Sequence, residues 1–247
     1  MKKESVQKAA LWDKRYEKQT TTEIHNQTPD ERLITLPHPI RNMLDIGCGT
    51  GDIVHAWAKK KVHAAGLDIS THAISLAKRN TPAPLSPYCK WFVDDWDTLD
   101  PKEYHWEHAF DLVYSCMGPD FTQENHFKKL NLISRKYIRL LLFKSGVNSI
   151  LEKLEKELQI TLPESPPSSL VAICKQLESA HYNPEITDIS YEENYSQSLE
   201  RWKLYVASIF PEPIDEKRTE EYLLSLSVNG SISSTTKVTY SMITWEI

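Results

Sequence analysis

The chain has 247 residues, of which 40% are hydrophobic and 26% charged, and its formal net charge is −5. This length suits one elaborated α/β domain, and the acidic balance argues against a nucleic-acid partner, because such partners are bound through Lys and Arg. The four cysteines are widely spaced without a Cys-x-x-Cys pair, so we expect no disulfide framework and no metal site. No secretory signal and no membrane-spanning run is visible, and we expect a cytoplasmic protein.

Residues 5–34 predict one or two helices ahead of a sheet. The segment Trp-Asp-Lys-Arg-Tyr at 12–16 mixes aromatic and charged side chains. It is either a surface helix packed on the core through Trp12 and Tyr16, or a flap over a ligand, and the residues alone leave both interpretations open. The stretch 20–40, rich in Thr, Asn and Pro, predicts a linker.

A glycine-rich turn follows the first predicted strand. Glycines at 47, 49 and 51 separate an apolar run from residues that recur at helical spacing. This predicts a buried strand, a tight turn and a helix, with glycines that permit positive φ and the close approach of a ligand. The first N–H groups of the helix would point at whatever occupies the turn.

Acidic residues near this turn separate two classes of ligand. The dinucleotide fingerprint has a third glycine or alanine where this chain has Asp52. Asp45, Asp52 and Asp68 fall near the ends of the first two strands, and together they would repel a pyrophosphate. The same carboxylates suit a ligand that carries a sulfonium and an ammonium group.

Strands and helices alternate from residue 43 to about 143, which implies parallel strands with right-handed crossovers. The predicted strands are 43–47, 62–68, 90–94, 109–114, 137–143, 185–191 and 236–247. The predicted helices that follow them are 51–60, 71–79, 121–135, 149–158, 169–181, 198–209 and 216–226. Ser70 or Thr71 is the expected cap of the second of these, and Ser149 opens a capping-box pattern. Residues 163–169 predict a loop.

The run Leu-Asp-Ile-Gly-Cys-Gly-Thr-Gly at residues 44–51 resembles motif I of the class I S-adenosylmethionine-dependent methyltransferases. The resemblance covers residues 43–143 well and the final third only by topology. It implies an α/β, Rossmann-like three-layer αβα sandwich with a seven-stranded, mostly parallel sheet and an antiparallel last strand. N-terminal helices and a helical insertion before the last strand complete the expected fold. The implied activity transfers a methyl group from S-adenosylmethionine to an acceptor and leaves S-adenosylhomocysteine.

The resemblance also assigns roles around the turn. Asp68 closes the second strand, where adenosine-binding folds place an acid for the ribose hydroxyls. Asp95 matches the acid that accepts from the adenine amino group, and Trp96 would pack on the ring although relatives carry a small residue there. Tyr16 or Arg15 could reach the methionine carboxylate. The predicted cofactor-binding residues are Asp45, Gly47, Cys48, Gly49, Thr50, Gly51, Asp68, Ile69, Asp95, Trp96, Ser115 and Tyr16.

No general base stands out, because displacement at an activated methyl group can proceed by positioning and desolvation. The candidates are Asp120, His126 and Tyr16. Asp120 is either an acid at a helix start or an active-site carboxylate. His126 lies off the apolar stripe of its helix, which favours a solvent-exposed or rim histidine over a base.

We predict a single methyltransferase domain over 1–247, with a helical cap (1–40), a cofactor-binding core (41–145) and a C-terminal part (146–247) carrying a helical lid (195–232). The acidic balance and the aromatic segment 195–226 favour a small-molecule acceptor. Three alternatives stay open: a protein acceptor, a non-catalytic binder of an adenosyl ligand, and an NAD-dependent oxidoreductase, which Asp52 disfavours. The acceptor atom and the oligomeric state do not follow from the sequence.

Overall fold

The structure is a computed structural model that describes residues 3–17, 30–162, 169–209 and 215–247. Its helices are α1 (Lys3–Tyr16), α2 (Asp52–Lys59), α3 (Thr71–Asn80), α4 (Glu124–Ile133), α5 (Ser149–Leu158), α6 (Ser169–Ser179), α7 (Leu199–Ile209) and α8 (Glu216–Ser225). Its strands are β1 (Asn42–Ile46), β2 (His63–Asp68), β3 (Cys89–Val93), β4 (Phe110–Cys116), β5 (Ser134–Asn148), β6 (Glu185–Ser198) and β7 (Ser231–Glu246). Short 3₁₀ turns cover Glu31–Ile34 and Ser86–Tyr88. Parts of four predictions lie outside the described residues: the N-terminal helices and the linker over 18–29, the loop over 163–168 and the helical lid over 210–214.

The seven strands form one sheet in the order β3-β2-β1-β4-β5-β7-β6. Strands β1 to β5 pair in parallel, with Leu44 opposite Ala65 on one side and opposite Val113 on the other. The carboxyl ends of β1 to β4 therefore meet at one edge of the sheet. This mixed sheet with an antiparallel last strand confirms the predicted Rossmann-like fold.

Side-chain contacts give the direction of β7 against β6. Ser241 donates to Asp188, the hydroxyls of Thr239 and Ser190 lie 2.8 Å apart, and Thr235 donates to Asn194. The residue number falls along β7 as it rises along β6, which is the pattern of an antiparallel pair.

Helix starts follow local side-chain chemistry. The hydroxyl of Ser70 accepts from the Ala73 N–H at 3.0 Å and caps α3, as predicted. The predicted cap of α5 is wrong by one residue, because Asn148 accepts from the N–H of Ile150 at 2.9 Å. The Ser149 hydroxyl instead accepts from the Thr235 N–H of β7, so it is not used to cap α5.

The chain divides into two compact units. Unit 1 holds Met1–Leu142, Ser169–Ile186 and Met242–Ile247, and unit 2 holds Phe143–Ser168 and Thr187–Ser241. The core of unit 1 surrounds β1, β4 and β5 and includes Leu44, Val113, Leu130, Ile138 and Trp245. The core of unit 2 joins α5, α7, α8 and β7 through Ile150, Leu154, Trp202, Val206, Leu223 and Ile232.

Candidate functional site

The turn after β1 has the backbone that its glycines predict. Gly47, Gly49 and Gly51 all have positive φ, at 76°, 52° and 89°. The N–H groups of Gly47 and Cys48 donate to the carbonyl of Leu67 at 2.8 and 3.1 Å, which ties the turn to β2. A β-carbon at Gly49 would lie 2.8 Å from the Tyr16 hydroxyl oxygen, so a side chain there would displace the end of Tyr16 as well as adopt a φ that favours glycine.

One tryptophan packs behind the turn. A β-carbon at Gly51 would come within 2.3 Å of the Trp91 ring, and one at Gly66 would come within 2.7 Å of the same ring. The indole of Trp91 therefore fills the space that side chains at both positions would need. This packing sets how closely α2 approaches β2 and β3.

Asp45 carries a buried carboxylate oxygen with no hydrogen-bond partner among the described residues, its Oδ1. The side chain is on β1, one residue from the turn, and the residue is 3% exposed. Burial raises the pKa of Asp45 well above its ordinary value, and the nearby charges of Asp68 and Asp52 raise it further. A buried acceptor without a donor is costly, and a cationic donor in the turn would remove that cost.

Asp68 holds the turn and the start of α3 together. Its Oδ2 accepts from the Gly49 N–H at 2.8 Å, and its Oδ1 accepts from the Ser70 N–H at 2.9 Å. Burial raises the pKa of Asp68, and these two N–H groups oppose the shift. Both oxygens thus have structural partners, and each keeps a second lone pair for a further donor.

The loop after β3 carries Asp95 and Trp96, which are both buried. Asp95 Oδ2 accepts from the Ser5 hydroxyl at 2.5 Å, and Oδ1 accepts from the Asp97 N–H at 3.1 Å. The indole nitrogen of Trp96 is buried without a partner among the described residues. The Trp96 ring contacts Phe121 and His126 edge-on, at 6.1 and 6.4 Å between centroids.

Helix α1 contacts loops at the ends of all three leading strands. Ser5 reaches Asp95 after β3, and Lys8 pairs with Asp97 at 2.6 Å. Tyr16 lies against Gly49 after β1. The side chain of Arg15 lies outside the described part of the chain.

Asp13 attaches the same helix to the start of α3, after β2. It accepts from the Ser70 hydroxyl at 2.5 Å, from the His72 N–H at 3.0 Å and from the Thr71 hydroxyl at 3.1 Å. Burial acts to raise the pKa of Asp13, but these donors outweigh it and hold the pKa below its ordinary value. Sequence reasoning missed this role, since nothing in the segment 12–16 points to a loop that is 57 residues away.

Ser115 ties β4 to β1 at the same edge. Its hydroxyl donates to the Ile46 carbonyl at 2.6 Å, so it is committed to the backbone. A β-carbon at Gly118 would lie 2.2 Å from that hydroxyl oxygen and 2.6 Å from the same carbonyl. The remaining predicted residues Cys48, Thr50 and Ile69 lie within the two loops and are buried or partly buried.

The candidate bases differ from the sequence prediction. His126 was expected at the surface or the rim, and this is wrong: it is 2% exposed, and its Nδ1 lies 2.6 Å from the Asp120 carbonyl. Its place off the apolar stripe of the helix could not show this, because the burial comes in part from the chain before α4, which contacts His126 through the Asp120 carbonyl. Asp120 accepts from both the N–H and the hydroxyl of Thr122, and the hydroxyl contact above all lowers its pKa. It lies four residues before α4 begins, so it is not an acid of the first helical turn.

Within the described part of the chain, no group of three or more His, Cys, Asp or Glu side chains could hold a metal ion. Among the same residues, every helix is too short or too polar to cross a bilayer.

Comparison with known proteins gives one family. Residues 43–135, which contain the glycine turn, Asp68 and Asp95, match the family model described as a methyltransferase domain. The match covers less than half of the chain, and it makes this segment similar to methyltransferase domains. No curated protein matches the chain in a sequence comparison.

Solved structures resemble the chain over more residues than the family model covers. A structure from work on the conversion of a disulfide bond into a thioacetal group during echinomycin biosynthesis has a TM-score of 0.50 at 17% identity, with 96% of this chain and 92% of that chain covered. This likeness supports the fold. Phosphoethanolamine N-methyltransferase 2 of Haemonchus contortus, complexed with S-adenosylhomocysteine, gives 0.44 at 13% identity over 85% of this chain and 50% of that one. Magnesium protoporphyrin IX methyltransferase of Synechocystis, also with S-adenosylhomocysteine, gives 0.42 at 14% identity over 80% and 72%.

Proposed function

We propose that the chain is an S-adenosylmethionine-dependent methyltransferase that acts on a small-molecule acceptor. The observation that carries the proposal is the unpartnered, buried oxygen of Asp45 beside a turn of three left-handed glycines. An adenosyl ligand with an ammonium and a sulfonium group supplies the positive charge that such a carboxylate lacks. A pyrophosphate would meet three carboxylates at close range and would be repelled.

The residues around the turn are proposed to contact different parts of the ligand. The free lone pairs of Asp68 accept from ribose hydroxyls, and those of Asp95 accept from the adenine amino group. Trp96 packs beside the base and has an indole N–H available for it. Tyr16 faces Gly49 from α1, where its hydroxyl can donate to the ligand's carboxylate.

The ligand supplies an activated methyl group, so the chain need only align the acceptor and exclude water. Asp120 is a poor proton acceptor because its pKa is lowered. If the Nδ1 of His126 donates to the Asp120 carbonyl, its Nε2 retains a lone pair, which lies 3.7 Å from an Asp97 oxygen. Of these two candidates, His126 therefore fits a base better when the acceptor must lose a proton.

The acceptor is proposed to be a small molecule. The acidic net charge supports this class over nucleic acid. Turnover of the methyl donor against a metabolite pool, compared with a protein pool, tests the class of acceptor. Donor binding without turnover in either pool would favour the non-catalytic alternative.

Cofactor binding is tested by titration calorimetry with S-adenosylhomocysteine. Gly49→Val forces a side chain into the Tyr16 hydroxyl, and Asp68→Ala removes the acceptor that holds the turn. We expect each variant to lose binding by about a hundredfold or more. Gly230→Val is the matched control, since Gly230 has φ +79° but nothing within 4 Å of its β-carbon position. Unchanged affinity in both site variants would refute the assignment.

A further inference from the structure

The segment after β3 folds into one short helical turn. The Asp95 carbonyl accepts from the N–H groups of Thr98 and Leu99, at 3.0 and 2.8 Å. The start of this segment is tied to β2, because the Asp94 N–H donates to the Asp68 carbonyl at 3.1 Å. A single turn leaves its later carbonyls without partners in the turn itself.

Lys129 of α4 supplies those partners from another part of the chain. Its Nζ donates to the carbonyls of Trp96 at 2.5 Å and Leu99 at 3.0 Å. The same nitrogen lies 4.6 Å from the centroid of the Trp96 ring, within the range of a cation–π contact. One ammonium group therefore fixes both the backbone and the ring of Trp96.

The positive charge of Lys129 lies near several carboxylates of this segment. Burial lowers its pKa, and four aspartates of the segment, at 94, 95, 97 and 100, oppose that shift. On the α1 side, Lys8 faces two of them, with its Nζ 2.6 Å from Asp97 and 3.7 Å from Asp95. Ammonium groups from α1 and α4 thus offset carboxylates that would otherwise repel one another.

We infer that Lys129 is a positioning residue that holds the turn 95–99 so that Asp95 can read the amino group of adenine. The inference rests on the proposed function, because it requires an adenosyl ligand at this loop. Lys129 acts through Asp95 and Trp96. Its loss should therefore reduce selectivity for adenine more than general affinity.

The test compares two ligands on the full chain by titration calorimetry. S-adenosylhomocysteine carries the adenine amino group, and S-inosylhomocysteine replaces it with a carbonyl oxygen, which cannot donate to Asp95, and leaves N1–H as the donor at that edge of the base. In Lys129→Met we expect about tenfold weaker binding of the adenine ligand and little change for the hypoxanthine ligand, so that the preference shrinks. Lys129→Arg, which can still donate to two carbonyls, should restore most of the preference.

The neighbouring residue gives a matched control. The Lys128 side chain is 72% exposed and pairs only with Glu124 among the described residues, so Lys128→Met should leave both affinities unchanged. Equal weakening of both ligands in Lys129→Met, or no weakening, would overturn the inference. If the Met variant does not fold, the same two affinities are measured for Lys129→Gln, and the same results support or overturn the inference. A wild-type chain that binds neither ligand would instead refute the proposed function.

Discussion

At the scale of single residues, Asp45 is the group whose state depends most on a ligand. Its carboxyl is buried, one oxygen has no partner among the described residues, and burial together with Asp68 and Asp52 raises its pKa. A ligand ammonium beside it would favour the charged form and lower that pKa again. Binding and ionisation of Asp45 are therefore coupled.

This coupling predicts proton release on binding. Below the raised pKa the free protein holds a proton on Asp45, the complex does not, and affinity for S-adenosylhomocysteine should rise with pH over that range. Calorimetry in two buffers with different ionisation enthalpies, repeated at several pH values above the ordinary 3.8, measures the released proton. Asp45→Asn should abolish the release, and a wild-type enthalpy that does not depend on the buffer would contradict the prediction.

The residues of the glycine motif could be predicted from the sequence, whereas the residues that hold the neighbouring loops in place could not. Asp45 and the glycines lie in one short pattern, Asp68 closes the next strand, and the structure brings them to one edge of the sheet. Lys129 supports the loop after β3 from a helix that is 30 or more residues away in sequence. No local spacing signals such a contact, because it depends on where α4 crosses the sheet.

At the scale of elements, α1 is held by polar contacts to the three loops that form the candidate site. Asp13 makes three of them, and its lowered pKa means that docking favours its charged form. A lowered folded-state pKa gives stability that is present above the ordinary value of 3.8 and is lost as pH falls through the folded value.

We predict that Asp13→Ala loosens α1 by about 1–2 kcal/mol, because it leaves the His72 N–H and the Ser70 hydroxyl without their acceptor. Amide hydrogen exchange of α1 residues measures the change, and the wild type should approach the variant only at acid pH. Glu4→Ala, at an exposed position on the same helix, is the control. Equal protection of α1 in wild type and Asp13→Ala would disprove the docking role.

Element types were predictable from the sequence, but several element lengths were not. The fifth strand was expected to end at residue 143, yet β5 continues to Asn148 through Lys-Ser-Gly, and β6 likewise runs to Ser198. Residues of low strand propensity are held extended there by pairing with β7, for example through Asn148 and Thr236 at 2.8 Å. Such pairing is a tertiary effect that no window of sequence contains.

At the scale of the whole molecule, the two units have separate hydrophobic cores. The core of unit 2 consists of six buried residues from four elements, none of which belongs to the core of unit 1. Trp202 is the largest of them, is 2% exposed, and donates to the Ile232 carbonyl.

Trp202→Ala should therefore destabilise unit 2 by about 3–5 kcal/mol through the cavity that it leaves. Hydrogen exchange resolved along the chain should show faster exchange in α5, α7 and α8, with the amides of β1 and β4 unchanged. Leu204→Ala is the matched control on α7, because Leu204 is 73% exposed. Equal loss of protection in both units would show that they unfold together.

The indole of Trp91 places a constraint on how this chain can diverge. Gly51 lies in the glycine turn after β1, and Gly66 lies on β2. Both face the Trp91 ring, so a methyl group at either position would overlap it. The Cys48 sulfur also lies 2.7 Å from a β-carbon at Gly66, so homologues that carry alanine or serine there should carry smaller side chains in place of both Trp91 and Cys48. Gly51 should stay glycine even in such homologues, because its φ of 89° disfavours any side chain whatever the space around it.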